Sequence, residues 1–365
     1  MAGKRFYVTG LLIVAHVPIA CAQSSVTLFG ALDVGLSYVS NERGHAAAKF
    51  DDGIFTPSLL GLRGSEDIGG GTRVIFQLVS QLSPGTGATI GNGLFARTAY
   101  VGVQNDRLGT VTFGNQYEFM AETLFFSGTD AAADVAGLYN LRNGPFSKLA
   151  LPGNPTGAFD WDRMAGSQRI ANSVKYVSPV FHGLKASVLY GFGGVPGSIG
   201  AGNAVSASVD YEAGPFGAAA AYTTQKYEPR PGFAATSVRN WGAGAHYRIG
   251  PARLSALVTT VRNAASGGSI WMTEWGGTWQ FAGPLLIGAD YMYMKGNAAL
   301  DHNHAHQVTA TVQYALSKRT MVYASTAWQH ASNGAQARIN GVMEPDGASS
   351  GANQGIGRIG VHTVF

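Results

Sequence analysis

The residues of this chain that could do chemistry are thinly spread. His302, His304 and His306 recur at every second position beside Asp301, a spacing that could present imidazoles to a metal ion. A run along one strand does not converge tetrahedrally, so we expect a polar rim where a loop enters its strand, with no metal and no cofactor. Ser37, Asp33, His246 and His362 supply the residue types of a hydrolase, but no feature of the sequence gathers them at one level, and no enzyme is expected. Glycine clusters such as Gly191-Phe192-Gly193-Gly194 do not link a buried strand to a helix, as a phosphate cradle requires. What remains is fixed charge, which sorts ions and orients dipoles wherever it lines a narrow passage. The connection 117–168 carries Glu118, Glu122, Asp130 and Asp134 and then Arg163, and Arg73 falls on the polar side of an alternating segment.

Those charges need a frame, and the periodicity supplies it. In residues 26–38 the even positions Val26, Leu28, Leu32, Val34, Leu36 and Tyr38 are apolar, while Thr27, Asp33 and Ser37 fall between them. That is a period of two with one apolar face, the pattern of a strand. It recurs with Val74, Phe76 and Leu78 against Arg73 and Gln77, with Trp241 and Tyr247 against Asn240 and His246, and with Val308, Val312 and Tyr314 against Thr309 and Gln313. Short turns fall at residues 66–71, 105–109, 179–183, 213–217, 250–251, 282–284 and 317–319, with a longer connection between successive turns. Seven turns and eight loops join sixteen strands, with both termini at the short-turn end. An even strand number, short turns at one end and long loops at the other describe an all-β transmembrane antiparallel barrel with short periplasmic turns and long extracellular loops.

Composition agrees: 51 Gly, 15 Tyr and 18 Phe accompany only 13% charged residues, and past residue 22 no stretch approaches the length of a membrane-spanning helix. Lys4 and Arg5, the mostly apolar run 6–17 and the small residues Ala20-Cys21-Ala22 read as a cleaved signal peptide over 1–22, leaving the barrel at 23–365. Cleavage would remove the only cysteine, and the small net charge gives no reason to expect a nucleic-acid partner. The last segment alternates and ends on Phe365, so it can close against the first strand and remove both sheet edges.

The motifs Ser25-Val26-Thr27-Leu28-Phe29-Gly30, Gly61-Leu62-Arg63-Gly64-Ser65-Glu66-Asp67, Asn172-Ser173-Val174-Lys175-Tyr176 and Tyr314-Ala315-Leu316-Ser317-Lys318-Arg319, with the closing Gly360-Val361-His362-Thr363-Val364-Phe365, resemble the general diffusion porins of Gram-negative bacteria, in particular their beta-proteobacterial branch. The resemblance implies an outer-membrane homotrimer of sixteen-stranded barrels. It implies contact with outer-membrane lipid and lipopolysaccharide, and passive passage of small hydrophilic solutes and ions. It also implies a third loop folded into the lumen, for which 117–168 is the candidate, facing a ladder of wall arginines. Arg97 and Arg169 occupy ladder positions by that resemblance, with Arg73 a third candidate by parity and Glu122, Asp130 and Asp134 as the facing acids. Leu59 and Asn115 stand where the family commonly carries arginine, so its ion preference does not transfer directly. The runner-up is a substrate-specific channel; a barrel enzyme or a surface adhesin using the long loops ranks lower.

Overall fold

The computed structural model describes residues 25–126, 135, 137, 142–229, 234–332, 334–339 and 347–365. The expected signal peptide and the acids Asp130 and Asp134 lie outside the described residues. In chain order the strands are β1 (Ser25–Glu42), β2 (His45–Asp52), β3 (Leu59–Gly69), β4 (Thr72–Ser83), β5 (Ala88–Ile90), β6 (Thr98–Asn105), β7 (Gly109–Tyr117), β8 (Arg169–Val177), β9 (Leu184–Gly191), β10 (Ala204–Ala213), β11 (Phe216–Tyr227), β12 (Thr236–Ile249), β13 (Ala252–Asn263), β14 (Ser269–Gln280), β15 (Leu285–Gly296), β16 (His304–Ala315), β17 (Thr320–Ala331) and β18 (Asn353–Val364).

These eighteen hydrogen-bonded segments make sixteen wall strands, because two positions in the wall are split. β2 pairs with the outer half of β1 and β3 with its inner half, so together they form one interrupted strand. β5 and β6 share β4 in the same way. The first interruption has a chemical cause: the Asp33 carboxylate accepts the N–H groups of Ile54 and Phe55 at 2.8 and 2.9 Å, drawing that segment off the ladder. The barrel closes where β1 pairs antiparallel with β18. Phe365 and Gly30 exchange two backbone hydrogen bonds of 3.1 Å, and the Phe365 ring lies where a Cβ on Gly30 would be. Among the described residues no free sheet edge remains along the wall.

Side chains divide by parity. Outward positions such as Leu28, Leu36, Val101, Val188, Trp275 and Ile359 are exposed, as a face solvated by lipid must be, while Asp33, Ser37, Ser206, Thr223 and Gln307 point in and are buried. The outer connections are less uniform than the spacing suggests. The first is only the tight turn Arg43-Gly44, because β1 and β2 run on as a ribbon, whereas the third spans 118–168. No described helix is long and apolar enough to cross a membrane; the strands do the crossing.

Candidate pore constriction

The third loop enters the lumen at its first residues. Glu118 is fully buried and accepts hydrogen bonds from the N–H groups of Met120 and Ala121, at 2.9 and 3.2 Å, and from the Thr223 hydroxyl on β11. Burial pushes its carboxyl above the usual range, and these bonds together with the charge of Arg163 partly offset that. Phe119 N–H donates to Ser206 Oγ at 3.0 Å, and the Thr123 hydroxyl bonds to that of Ser208 at 2.9 Å. The loop therefore begins flat against β10 and β11.

Its next described residues lie farther round the barrel. Val135 packs against Gly288 of β15, and Gly137 sits at positive φ so close to Phe55 that any side chain there would collide with backbone. Returning, Arg142 is buried between Glu274 of β14 and Asp162, its Nε 3.3 Å from the latter. Asn263 Nδ2 donates to Leu149 O at 2.9 Å, and Asn240 Nδ2 to Trp161 O at 2.9 Å. Arg163 donates to Asn240 at 3.1 Å and to Gln225 at 2.7 Å. Beneath these bonds Leu124, Phe146, Leu149, Trp161 and Met164 meet the inward Leu257, Ile270, Met272 and Met294 in one apolar cluster. A barrel lumen would normally be wet; here loop and wall form a packed core along one side of it.

The wall from β3 to β8 carries charged and polar side chains in place of that apolar core, with Arg97 and Lys175 buried among them. Arg97, just before β6, donates to Gln81 Oε1 at 2.6 Å, with its guanidinium 5.6 Å from the Tyr117 ring centre. Arg169 is the register partner of Tyr117, and its Nη1 donates to Gly166 O and Ser167 O at 2.8 and 3.0 Å. The two arginines are thus brought together beside one tyrosine. Neither is ion-paired among the described residues. Next to Arg169 a cavity of ≈ 450 Å³ opens between Asn115, Asn154, Gln168, Gln225 and Tyr227.

The other candidates are placed differently. Glu122 does not meet the arginines; its carboxylate lies 2.5 Å from Lys175 Nζ, which also donates to Tyr117 O at 3.2 Å. Lys175 was present in the sequence motif of β8 and faces inward by the same parity as Ser173, a signal that residue-by-residue comparison with arginine positions passes over. Arg73 faces the lumen as expected, but at the short-turn end, where it is 2.6 Å from Asp106 and remote from the loop. Leu59 lies beside Gln81 in register, and Asn115 donates to Ala96 O at 2.9 Å, so both departures border Arg97.

The hydrolase quartet does not assemble. Asp33 and His362 are register partners, but the Asp33 carboxylate is taken up by Ile54, Phe55, Tyr323 and Arg358, while His246 lies on β12 beside Glu212. His302 belongs to the connection before β16, whereas His304 and His306 are on the outward face, His306 Nδ1 2.7 Å from the Tyr291 hydroxyl. Among the described residues no group of three or more His, Cys, Asp or Glu could hold a metal.

Comparison with known proteins bears on this arrangement. The family model "Gram-negative porin" matches residues 10–334. The outer membrane porin protein 32 of Delftia acidovorans is 29% identical over 330 residues, 87% of each chain. An outer membrane porin protein of Bordetella pertussis is 27% identical over 204 residues, covering 52% of this chain and 48% of its own. Among solved structures, the anion-selective porin from Comamonas acidovorans superposes with a TM-score of 0.77 at 24% identity, over 94% of this chain and all of that one. The trimer form of OmpT from Vibrio cholerae gives 0.65 at 15% identity, over 94% and 99%.

Proposed function

This chain belongs to the Gram-negative porin family and is a passive outer-membrane pore for small hydrophilic solutes, and we propose that its constriction favours anions. One observation carries that reading: Arg97 and Arg169 both approach Tyr117 and neither is ion-paired among the described residues, while Glu122 is paired with Lys175. Of the described acids of the loop, Glu118 and Asp162 are buried in contacts with the opposite wall, and Asp160 bonds to N–H groups of the loop itself. Charge confined in a narrow aqueous gap is screened less than at an open surface, so the arginine pair acts on each passing ion. The anion-selective relative supports this direction. Asp130 and Asp134 remain candidates for acids that temper it.

The functional unit is proposed to be a homotrimer in contact with outer-membrane lipid and lipopolysaccharide. Its support is the outward, almost wholly apolar groove between Val34, Phe50, Val312, Val322 and Val361, together with the trimer form of a structural relative. The mature chain is proposed to begin after Ala22, which N-terminal sequencing of the membrane-inserted protein checks. The pore itself is tested by liposome swelling with sugars of graded size: influx should fall steeply with sugar mass, and no swelling with any sugar would refute passage through this lumen.

A further inference from the structure

The cavity of ≈ 450 Å³ beside Arg169 lies at the loop end of the lumen, since β7 ends at Tyr117, β8 begins at Arg169 and β11 ends at Tyr227. Hydrogen-bond chemistry fixes what its walls offer. The Arg163 guanidinium can only donate, and its Nη2 lies 2.7 Å from Gln225 Oε1 and 3.2 Å from the Tyr227 hydroxyl oxygen. Tyr227 passes its own hydrogen to Gln168 Oε1 at 2.9 Å. Both amide oxygens are therefore turned to this chain of donors, and both NH2 groups are left without a partner among the described residues, at the cavity that Gln168 and Gln225 line. Arg169 adds a further donor, because its Nη1 is held by loop carbonyls while its Nη2 has only a contact of 3.5 Å to Ala96 O. Among the described residues no carboxylate lines the cavity. Asp160, in the same turn as Arg169, is buried and accepts the N–H groups of Ala165 and Ser167.

Another part of the cavity wall is apolar and rigid. Asn154 clamps Phe159 by both backbone groups, its Nδ2 donating to the carbonyl at 2.6 Å and its Oδ1 accepting the N–H at 2.8 Å. Pro152 and Pro155, with their fixed φ, line the cavity beside it. A few placed donors together with a fixed apolar surface are the makings of a small-ligand site, and the volume falls within the usual range of about 300–1,000 Å³. We propose that this antechamber binds small ring-bearing carboxylates of the benzoate type and passes them on to the constriction. A carboxylate only accepts hydrogen bonds and offers about four lone-pair sites to the three donor groups, and its ring covers Phe159 and the prolines. A neutral alcohol or sugar supplies no charge for Arg169. Binding must stay weak enough for the solute to leave again. The proposal rests on the passive-pore reading, for which it names a solute class, and not on which ion of a simple salt the pore prefers.

The test is single-channel recording of the mature full-length protein in a planar bilayer, with potassium benzoate, potassium acetate or benzyl alcohol added to both chambers of a potassium chloride bath. Benzoate should lower the current saturably, binding roughly tenfold more tightly than acetate because only its ring covers the apolar surface. Benzyl alcohol, which has the ring without the charge, should leave the current unchanged. Gln225→Glu keeps an oxygen toward Arg163 and replaces the NH2 group by an acceptor, and should weaken benzoate binding about tenfold. Phe159→Ala should bring benzoate down to the acetate affinity while acetate binds as before. Heat-modifiable mobility on detergent gels establishes that each variant has assembled, and the comparison of three solutes on the wild type needs no variant. Equal affinities for benzoate and acetate, or a block by benzyl alcohol that matches benzoate, overturn the site, as does undiminished benzoate binding by assembled Gln225→Glu. A pore that conducts normally yet treats benzoate and acetate alike keeps the passive-pore reading and loses this site. A protein that bound benzoate in equilibrium dialysis but passed no current would count against the pore and leave the site standing.

Discussion

The two sides of the lumen are built by the same alternating strands and end in opposite states. Along β10–β16 the inward residues are Thr259, Leu257, Met272, Met294 and Ala305, covered by the third loop and sealed from water. Along β3–β8 they are Gln77, Gln81, Tyr100, Arg97 and Lys175, polar side chains bonded to one another and to the loop, with Arg97 and Lys175 buried. A barrel of this strand number is too wide for wall side chains to fill. One side is a core that carries the loop, and the other holds the arginines to which the pore's field is assigned by the proposal above. On the proposed reading the constriction is a packing problem first and an electrostatic one second: Trp161, Phe146 and Arg142 hold the loop on one wall, and Arg97 and Arg169 stand on the other.

The contrast can be broken from either side. The largest effect is expected at the buried charges, because removing one partner leaves the others uncompensated. Arg142→Met should destabilise the loop on its wall by about 3–5 kcal/mol, seen as higher and noisier single-channel conductance. An unchanged trace would mean that Glu274 and Asp162 are not held through Arg142. Trp161→Ala opens a cavity in the same core at a comparable cost of about 3–5 kcal/mol, and should raise the size limit for sugars in liposome swelling.

Closure is independent of this contrast and sharpens it. Deleting Phe365 removes both backbone bonds to Gly30 and should lower membrane assembly severalfold, while the molecules that do assemble keep the wild-type conductance. Equal yields of heat-modifiable protein on detergent gels would show that the last residue is dispensable.

The smallest effect expected is on pH. Asp160 is fully buried in the loop, where burial and the neighbouring Asp162 carboxylate raise its pKa to about 7. It accepts the N–H groups of Ala165 and Ser167 at 2.8 and 3.0 Å and so shapes the turn that presents Arg169. A carboxyl raised in the folded state favours folding below its unfolded value near 3.8 and loses that contribution as pH rises through about 7. Gating noise should therefore increase modestly from pH 5 to pH 8, and Asp160→Asn should flatten the dependence. A slope that survives the substitution belongs to another group.

Much of this was readable from residue order, and the exceptions have physical causes. Parity alone assigned Trp241, Trp275 and Val308 outward and Asn240 inward, because a strand has only two faces. The short turns gave the number of wall strands. Periodicity could not reveal the breaks at 53–58 and 91–97, since these depend on the long-range bonds of Asp33 and on the approach of Arg97 N–H to Val79 O at 3.2 Å. Nor could it show that Glu122 meets Lys175, because the path of a loop as long as 118–168 follows from tertiary contacts at Ser206, Asn240 and Asn263. His304 and His306 read as a ligand pattern only while their outward direction is ignored.

The measurement that bears most directly on the two-sided lumen is the zero-current reversal potential across a planar bilayer with a tenfold potassium chloride gradient, for the wild type and for Arg97→Gln/Arg169→Gln. The wild type should prefer chloride, and the double variant should move toward potassium while keeping most of its conductance. The difference should shrink in about 1 M salt, where the screening length falls to about 3 Å. A wild type selective for potassium, or a double variant with an unchanged reversal potential, would contradict the assignment of the field to Arg97 and Arg169.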